Sequence, residues 1–129
     1  MKKLILMILA LVLLVAPAWA ANTYTMTGTT ISVVPDGSTN IDPTTVSNAP
    51  AALNLICIIF QPSAANDKIQ VRQTNASGAV IWPGNLDVLG AGQVVYYDGM
   101  SFHPYIVASE CTFGTAANAK ITFVYKNYK

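Results

Sequence analysis

The arrangement of apolar residues after Ala21 constrains the fold of this 129-residue chain more than any other feature. β-Branched and aromatic residues recur in short runs, and Gly, Pro, Asn and Asp separate these runs. Runs of this kind, bounded by turn residues, are typical of β-strands. No segment keeps the i, i+3, i+4, i+7 spacing of apolar residues that marks an amphipathic helix. The pattern therefore predicts an all-β domain.

About eight strands are predicted. The first two runs form either one bulged strand, which gives eight, or a hairpin of two strands, which gives nine. The runs cover residues 23–27, 30–34, 51–60, 68–73, 79–82, 93–97, 102–107, 110–113 and 120–125. Short strands without intervening helices favour a small two-sheet β-sandwich similar to a jelly roll, and a small barrel is the alternative. The run 51–60 is apolar on both faces, which predicts the central strand. Simple alternation places Leu53, Leu55, Cys57 and Ile59 on one face.

The segments between the runs predict the connections. Residues 75–78 predict a turn that closes a hairpin over 69–82. Asp98-Gly99 predicts the turn of a second hairpin, between 93–97 and 102–107. Residues 35–50 are rich in Asp, Gly, Ser, Thr, Asn and Pro, which predicts a long surface loop.

The N-terminal residues have the pattern of a cleavable signal peptide. Lys2 and Lys3 precede the uninterrupted apolar run 4–16, Pro17 follows it, and Ala18-Trp19-Ala20 supplies small residues at the cleavage site. We therefore predict a signal peptide over 1–20 and one domain over 21–129, in the periplasm, at the cell surface or outside the cell. No stable membrane insertion is expected after cleavage, and an uncleaved membrane anchor is the alternative.

Charge narrows the range of partners. The chain has seven Lys and Arg against six Asp and Glu, and loss of Lys2 and Lys3 leaves five against six, a formal net charge of −1. Nucleic acid is not an expected partner, because its binding requires clustered Lys and Arg. Low charge also weakens repulsion between copies, so self-association or pairing with a surface protein is expected.

The two cysteines predict a disulfide. An exported domain folds in an oxidising compartment, and Cys57 and Cys111 both lie in or beside predicted strands. The alternative is a pair of buried free thiols, since cysteine packs well as a small apolar residue.

A segment of the long loop resembles the start of a calcium-binding loop. Asp36, Ser38, Asn40 and Asp42 place oxygen atoms at alternate positions. The sixth position is Ile41 rather than glycine, and no bidentate glutamate stands at the twelfth. The same residue types also form ordinary turns. Calcium is therefore the one candidate cofactor, and no bound cofactor is expected.

Aromatic residues concentrate in the predicted hairpins, where exposed rings would stack on sugar rings. The candidates for ligand binding are Trp82, Tyr96, Tyr97, Phe102 and Tyr105. Because Tyr96 and Tyr97 are adjacent on one strand, they must point to opposite sides. At least one of them is therefore expected in the core.

Catalytic patterns are sparse. His103 is the single histidine, and Ser101 near it lacks the glycine elbow of a serine hydrolase. Asp67 and Asp87 are the one candidate carboxylate pair for acid–base chemistry. We therefore expect no enzymatic activity, and a small secreted hydrolase is the least favoured reading.

The terminal run 119–125 alternates small, apolar and aromatic residues, and a strand of this kind can pair with another subunit. Residues 114–125, which begin with Gly114, resemble the C-terminal strand of chaperone-usher pilins. The sequence thus predicts an exported, non-enzymatic structural or surface-assembly protein. A carbohydrate- or ligand-binding module with exposed aromatic rings, its partner a polysaccharide, is the alternative.

Overall fold

The computed structural model describes residues 21–82 and 92–127, without the side chain of Trp82. The predicted signal peptide and Asp87 lie outside these residues. The described part has eight strands and three 3-10 helices. They are β1 (Thr23–Thr27), β2 (Thr30–Val34), η1 (Pro43–Thr45), β3 (Leu53–Gln61), β4 (Val71–Gln73), β5 (Val80–Trp82), β6 (Gln93–Phe102), β7 (Pro104–Ile106), η2 (Ala108–Glu110), η3 (Ala116–Asn118) and β8 (Lys120–Lys126).

The strands form two sheets. The larger has the order β1-β2-β8-β3-β6 and the smaller the order β5-β4-β7. All neighbouring strands are antiparallel. This confirms the predicted all-β class, with two sheets consistent with a sandwich. Within the described ranges, no helix is long and apolar enough to cross a membrane.

The β1–β2 hairpin shows how local sequence sets the sheet. Thr27 pairs with Thr30, so Gly28 and Thr29 form a two-residue turn. Gly28 has φ +57°, and a turn of this length needs positive φ at its first central residue. Both strands have the predicted bounds.

The core lies between the two sheets. Alternate residues of β2 and β8 are buried in it, as expected for strands with one solvent-facing side. Val71 and Ile106 of the smaller sheet pack into the same cluster. The largest of the fully buried side chains are Tyr125, Phe60, Phe123, Ile31, Leu53, Leu55, Ile58, Ile69, Ile106, Ile121 and Val33.

The predicted alternation of β3 is wrong beyond its first half. Leu55 lies in the core, but the strand's register shifts between Leu55 and Cys57. This bulge changes which residues face inward, so Ile58 and Phe60 join the core. Cys57 lies outside that cluster and shares its sheet face with Ile59.

The predicted second hairpin is also wrong. Asp98 and Gly99 have φ of +51° and +75°, yet they lie inside the single strand β6. Met100 pairs with Leu55 and Tyr96 pairs with Cys57, so three residues of β6 oppose one of β3. The left-handed residues therefore form a bulge, and the chain leaves this sheet for the smaller one at His103.

Two loops depart from the sequence prediction in detail. Residues 110–113 form no strand, because η2 ends at Glu110 and Thr112 makes only an isolated bridge to Lys68. The long loop is anchored near its middle, where Ile41 is buried and forms a bridge with Ile106.

Candidate functional site

Exposed apolar side chains concentrate on β6. Four large apolar residues are strongly exposed in the described ranges, and three belong to β6: Val94 at 42%, Tyr96 at 76% and Met100 at 61%. The fourth is Val80, at 46%. Large exposed apolar groups gathered on one element are typical of an interaction site.

The position of β6 in the sheet makes this strand accessible. It is the last strand in the order, and within residues 21–82 and 92–127 it pairs with β3 alone. The backbone groups along its other edge therefore have no partner strand there. Such an edge can pair with a strand from another chain.

The outward sheet face of β6 continues onto neighbouring strands, where Cys57 is only 7% exposed and Ile59 and Val124 are half-buried. Tyr96 lies beside Cys57, and Cys57 lies beside Val124 of β8. Val94 lies beside Ile59. These five side chains share the sheet face that points away from the core, and we call them the β6 surface. The β6 surface contains no charged side chain.

The structure separates the predicted aromatic residues. Tyr96 points outward, whereas Tyr97 is 8% exposed and its hydroxyl donates to the Ile81 carbonyl at 2.9 Å. Burial raises the pKa of Tyr97 to about 12. Phe102 packs edge-on against Tyr97, with ring centroids 5.1 Å apart. Tyr105 accepts a hydrogen bond from Asn40 at 3.1 Å. Tyr96 is the one strongly exposed ring among the described aromatic candidates.

The predicted calcium-binding residues make turn and capping contacts. Asp36 Oδ1 accepts from the backbone N–H groups of Ser38 and Thr39, at 2.6 and 2.7 Å. Asn40 Oδ1 accepts from the Ala108 N–H at 2.9 Å, and Asp42 caps η1. In the part of the chain that the structure describes, no three His, Cys, Asp or Glu side chains are grouped as metal ligands.

His103 contacts the same loop. Its Nε2 lies 3.2 Å from Asp42 Oδ2 and 3.0 Å from Thr44 Oγ1. The Thr44 hydroxyl donates its one hydrogen to Asp42 Oδ1 at 2.6 Å, so it must accept from Nε2–H.

This contact differs from a catalytic triad. In a triad, acid and nucleophile contact opposite nitrogens of the ring. Here Asp42 and Thr44 share one nitrogen of His103, and Ser101 is not among the hydrogen-bond partners of His103 that the structure records. The three side chains instead hold the long loop against the start of β7.

Asp67, predicted from the sequence as a candidate acid–base group, has a structural role. It is 1% exposed, and its Oδ2 accepts from Ser63 N, Ser63 Oγ and Ala64 N at 2.6, 2.6 and 3.1 Å. Its Oδ1 accepts from Gly114 N at 2.7 Å. Burial alone raises the pKa of Asp67, but the hydrogen bonds outweigh it and leave the pKa below its ordinary value. Asp67 therefore joins two loops 47 residues apart.

The predicted disulfide is not present, because both cysteines are free thiols. Cys57 belongs to the outward β6 surface, whereas Cys111 packs against the core cluster. The bulge in β3 contributes to this separation, since it turns Cys57 away from the core. Burial raises the pKa of both thiols. The predicted alternative, two free thiols, describes the structure.

Comparisons with known proteins give no match to this chain. No family model, no curated protein and no solved structure matches it. The functional proposal therefore depends on the β6 surface and the contacts around it.

Proposed function

We propose that this chain is an exported, non-enzymatic structural protein that assembles with other protein subunits at or beyond the cell surface. The observation that carries the proposal is the apolar β6 surface on an edge strand. Val94 and Tyr96 lie at the rim of the five-stranded sheet, next to backbone groups that can extend it.

The composition of β6 supports assembly. Proteins protect exposed edges with lysine, proline, bulges or short strands. The segment from Gln93 to Tyr97 contains no proline and no charged residue, and the Asp98-Gly99 bulge begins only after it. Tyrosine and methionine are also enriched at protein interfaces, and Tyr96 and Met100 are the most exposed large apolar residues of the strand.

The other polar groups support a structural role. The carboxylates of Asp36, Asp42 and Asp67 all accept hydrogen bonds that fix loops. His103 is likewise engaged with the long loop. These groups stabilise the scaffold that presents β6, and this use of them favours assembly over catalysis.

Export is tested separately from assembly. The full-length chain is expressed, and the exported protein is analysed by N-terminal sequencing. We expect Ala21 at the N-terminus, because Ala18 and Ala20 suit signal peptidase. A chain that keeps Met1 and stays with the membrane fraction would contradict export through a cleaved signal.

Assembly is tested by sedimentation equilibrium over a wide concentration range, with protein purified from cells that express the full chain. We expect concentration-dependent association that Tyr96→Lys weakens. Thr25→Lys is the matched control, since Thr25 is an exposed residue on β1, the opposite edge strand. A wild-type protein that stays monomeric at the highest concentration would refute assembly by simple self-association.

Carbohydrate binding is the second candidate, and the 76% exposed ring of Tyr96 is the observation that favours it. An exposed tyrosine ring can stack on the apolar face of a sugar. Native gels that contain a panel of polysaccharides test this candidate. Retardation that Tyr96→Ala abolishes would support it, and unchanged mobility in every gel would remove it.

A further inference from the structure

We infer that the partner of the β6 surface is a second copy of this chain, paired antiparallel through β6 about a two-fold axis at Val95. This inference rests on the proposed function and names the partner of the same surface. The pairing would join two five-stranded sheets into one continuous sheet.

The regular part of β6 is symmetric about Val95. It runs from Gln93 to Tyr97, with Gly92 before the strand and the left-handed Asp98 after it. In an antiparallel pair about a two-fold axis, the residue on the axis faces itself. Val94 of one copy then faces Tyr96 of the second copy, and the reverse pair forms on the other side of the axis.

This register matches the exposed side chains. Val94 and Tyr96 lie on the same sheet face and are 42% and 76% exposed. Directly opposed aromatic and β-branched residues form favourable cross-strand pairs. Two such pairs would cover the most exposed part of the β6 surface.

Neighbouring registers fit less well. An axis at Tyr96 would place Asp98 opposite Val94 and bring the bulge into the new ladder. An axis at Val94 would place the Tyr96 ring opposite Gly92, which offers no side chain. Only the axis at Val95 places an apolar side chain opposite both Val94 and Tyr96.

Electrostatics also permits a second copy. No charged side chain lies between Gln93 and Tyr97. The nearest charge is Asp98, and in this register it lies opposite Gly92, so the two Asp98 carboxylates are at opposite ends of the pair. Directly opposed like charges, which oppose strand pairing, are therefore absent from the predicted contact. Pairing of one strand with itself is self-complementary and needs no other chain.

Charge exchange across the axis tests the register. The double variant Val94→Lys/Tyr96→Glu would place an ammonium group opposite a carboxylate twice. The matched variant Val94→Lys/Tyr96→Lys changes the same positions but opposes like charges. Dissociation constants are measured by sedimentation equilibrium at low and high salt, and circular dichroism melts verify that each variant folds.

We expect Tyr96→Lys to raise the dissociation constant about tenfold or more, because it removes a buried aromatic contact from both pairs. The Lys/Glu variant should associate more tightly than the Lys/Lys variant, and this advantage should shrink at high salt. Equal association of the two folded double variants would overturn the Val95 register. Wild-type association that Tyr96→Lys leaves unchanged would overturn the β6 pairing while self-assembly stands, and a strictly monomeric wild type would overturn both proposals.

Discussion

Replacing Asp67 should destabilise the fold more than replacing any other aspartate of the described loops. The change Asp67→Ala leaves three backbone N–H donors and the Ser63 hydroxyl without their acceptor. At about 1 kcal/mol for each hydrogen bond, the free energy of unfolding should fall by about 4 kcal/mol.

The isosteric change Asp67→Asn allows a finer test. The amide oxygen can replace Oδ2 and keep the contacts to Ser63 and Ala64. The amide nitrogen then faces the Gly114 N–H, which lies 2.7 Å from Oδ1 in the wild type. One hydrogen bond is lost, and the Gly114 N–H and the new amide N–H face each other without an acceptor, so we expect a loss of about 2 kcal/mol.

Acidic pH should reduce the difference in the free energy of unfolding between the wild type and Asp67→Asn. The pKa of Asp67 is lower in the folded state than its ordinary value, so the carboxylate contributes fully above the unfolded-state pKa of about 3.9. Its contribution is lost as the pH falls below that value through the lower folded-state pKa. The wild type and Asp67→Asn should therefore become more similar in stability as the pH falls below about 4.

Urea unfolding, followed by circular dichroism from neutral to acidic pH, measures both effects. Asp36→Asn is the matched control, because Asp36 accepts hydrogen bonds from Ser38 and Thr39 in an exposed turn. We expect the control to lose less than about 1 kcal/mol. The structural role of Asp67 is refuted if Asp67→Asn and Asp36→Asn lower the free energy of unfolding equally. It is also refuted if the loss caused by Asp67→Asn does not depend on pH.

Further predictions concern packing and thiol chemistry. A Cβ added at Gly114 would lie 2.5 Å from Ala64 Cβ, so Gly114→Ala should lower the midpoint of urea unfolding by an amount equivalent to about 1–3 kcal/mol. At Gly92 the nearest atom would be at 3.4 Å, so Gly92→Ala should leave the midpoint nearly unchanged, and equal effects would contradict the packing argument. Mass spectrometry after alkylation in denaturant without reductant should label both Cys57 and Cys111, since both are free thiols, and a mass without label would demonstrate a disulfide.

The parts of the fold that local sequence predicts are the strands with one polar face. β1, β2 and β8 alternate polar and apolar residues, so both their bounds and their inward residues follow from the pattern. β3 is different, because a run that is apolar on both faces carries no signal for its register. The bulge near Ile56 therefore could not be predicted, and the prediction that Cys57 shares a face with Leu55 failed with it.

Some short sequence patterns are compatible with two different structures. These patterns account for other differences between the predicted and the observed fold. Asp98-Gly99 favours positive φ, which suits a hairpin turn and equally a bulge within one strand. Asp67 stands among turn residues, and nothing near it in sequence indicates that Gly114 will be its partner. The pairing of His103 with Asp42 was missed for the same reason, since 61 residues separate them.

The position of β8 has a consequence for synthesis and for the proposed export. β8 lies between β2 and β3, although it is the last of the described strands along the chain. Until residues 120–126 have been made, β1–β2 and β3 cannot be joined, and the larger sheet has no centre. Contacts between such distant segments also form slowly. A ribosome-bound chain that lacks residues 120–126 would therefore lack the larger sheet, and under the proposed export this sheet would close only after the last strand has crossed the membrane.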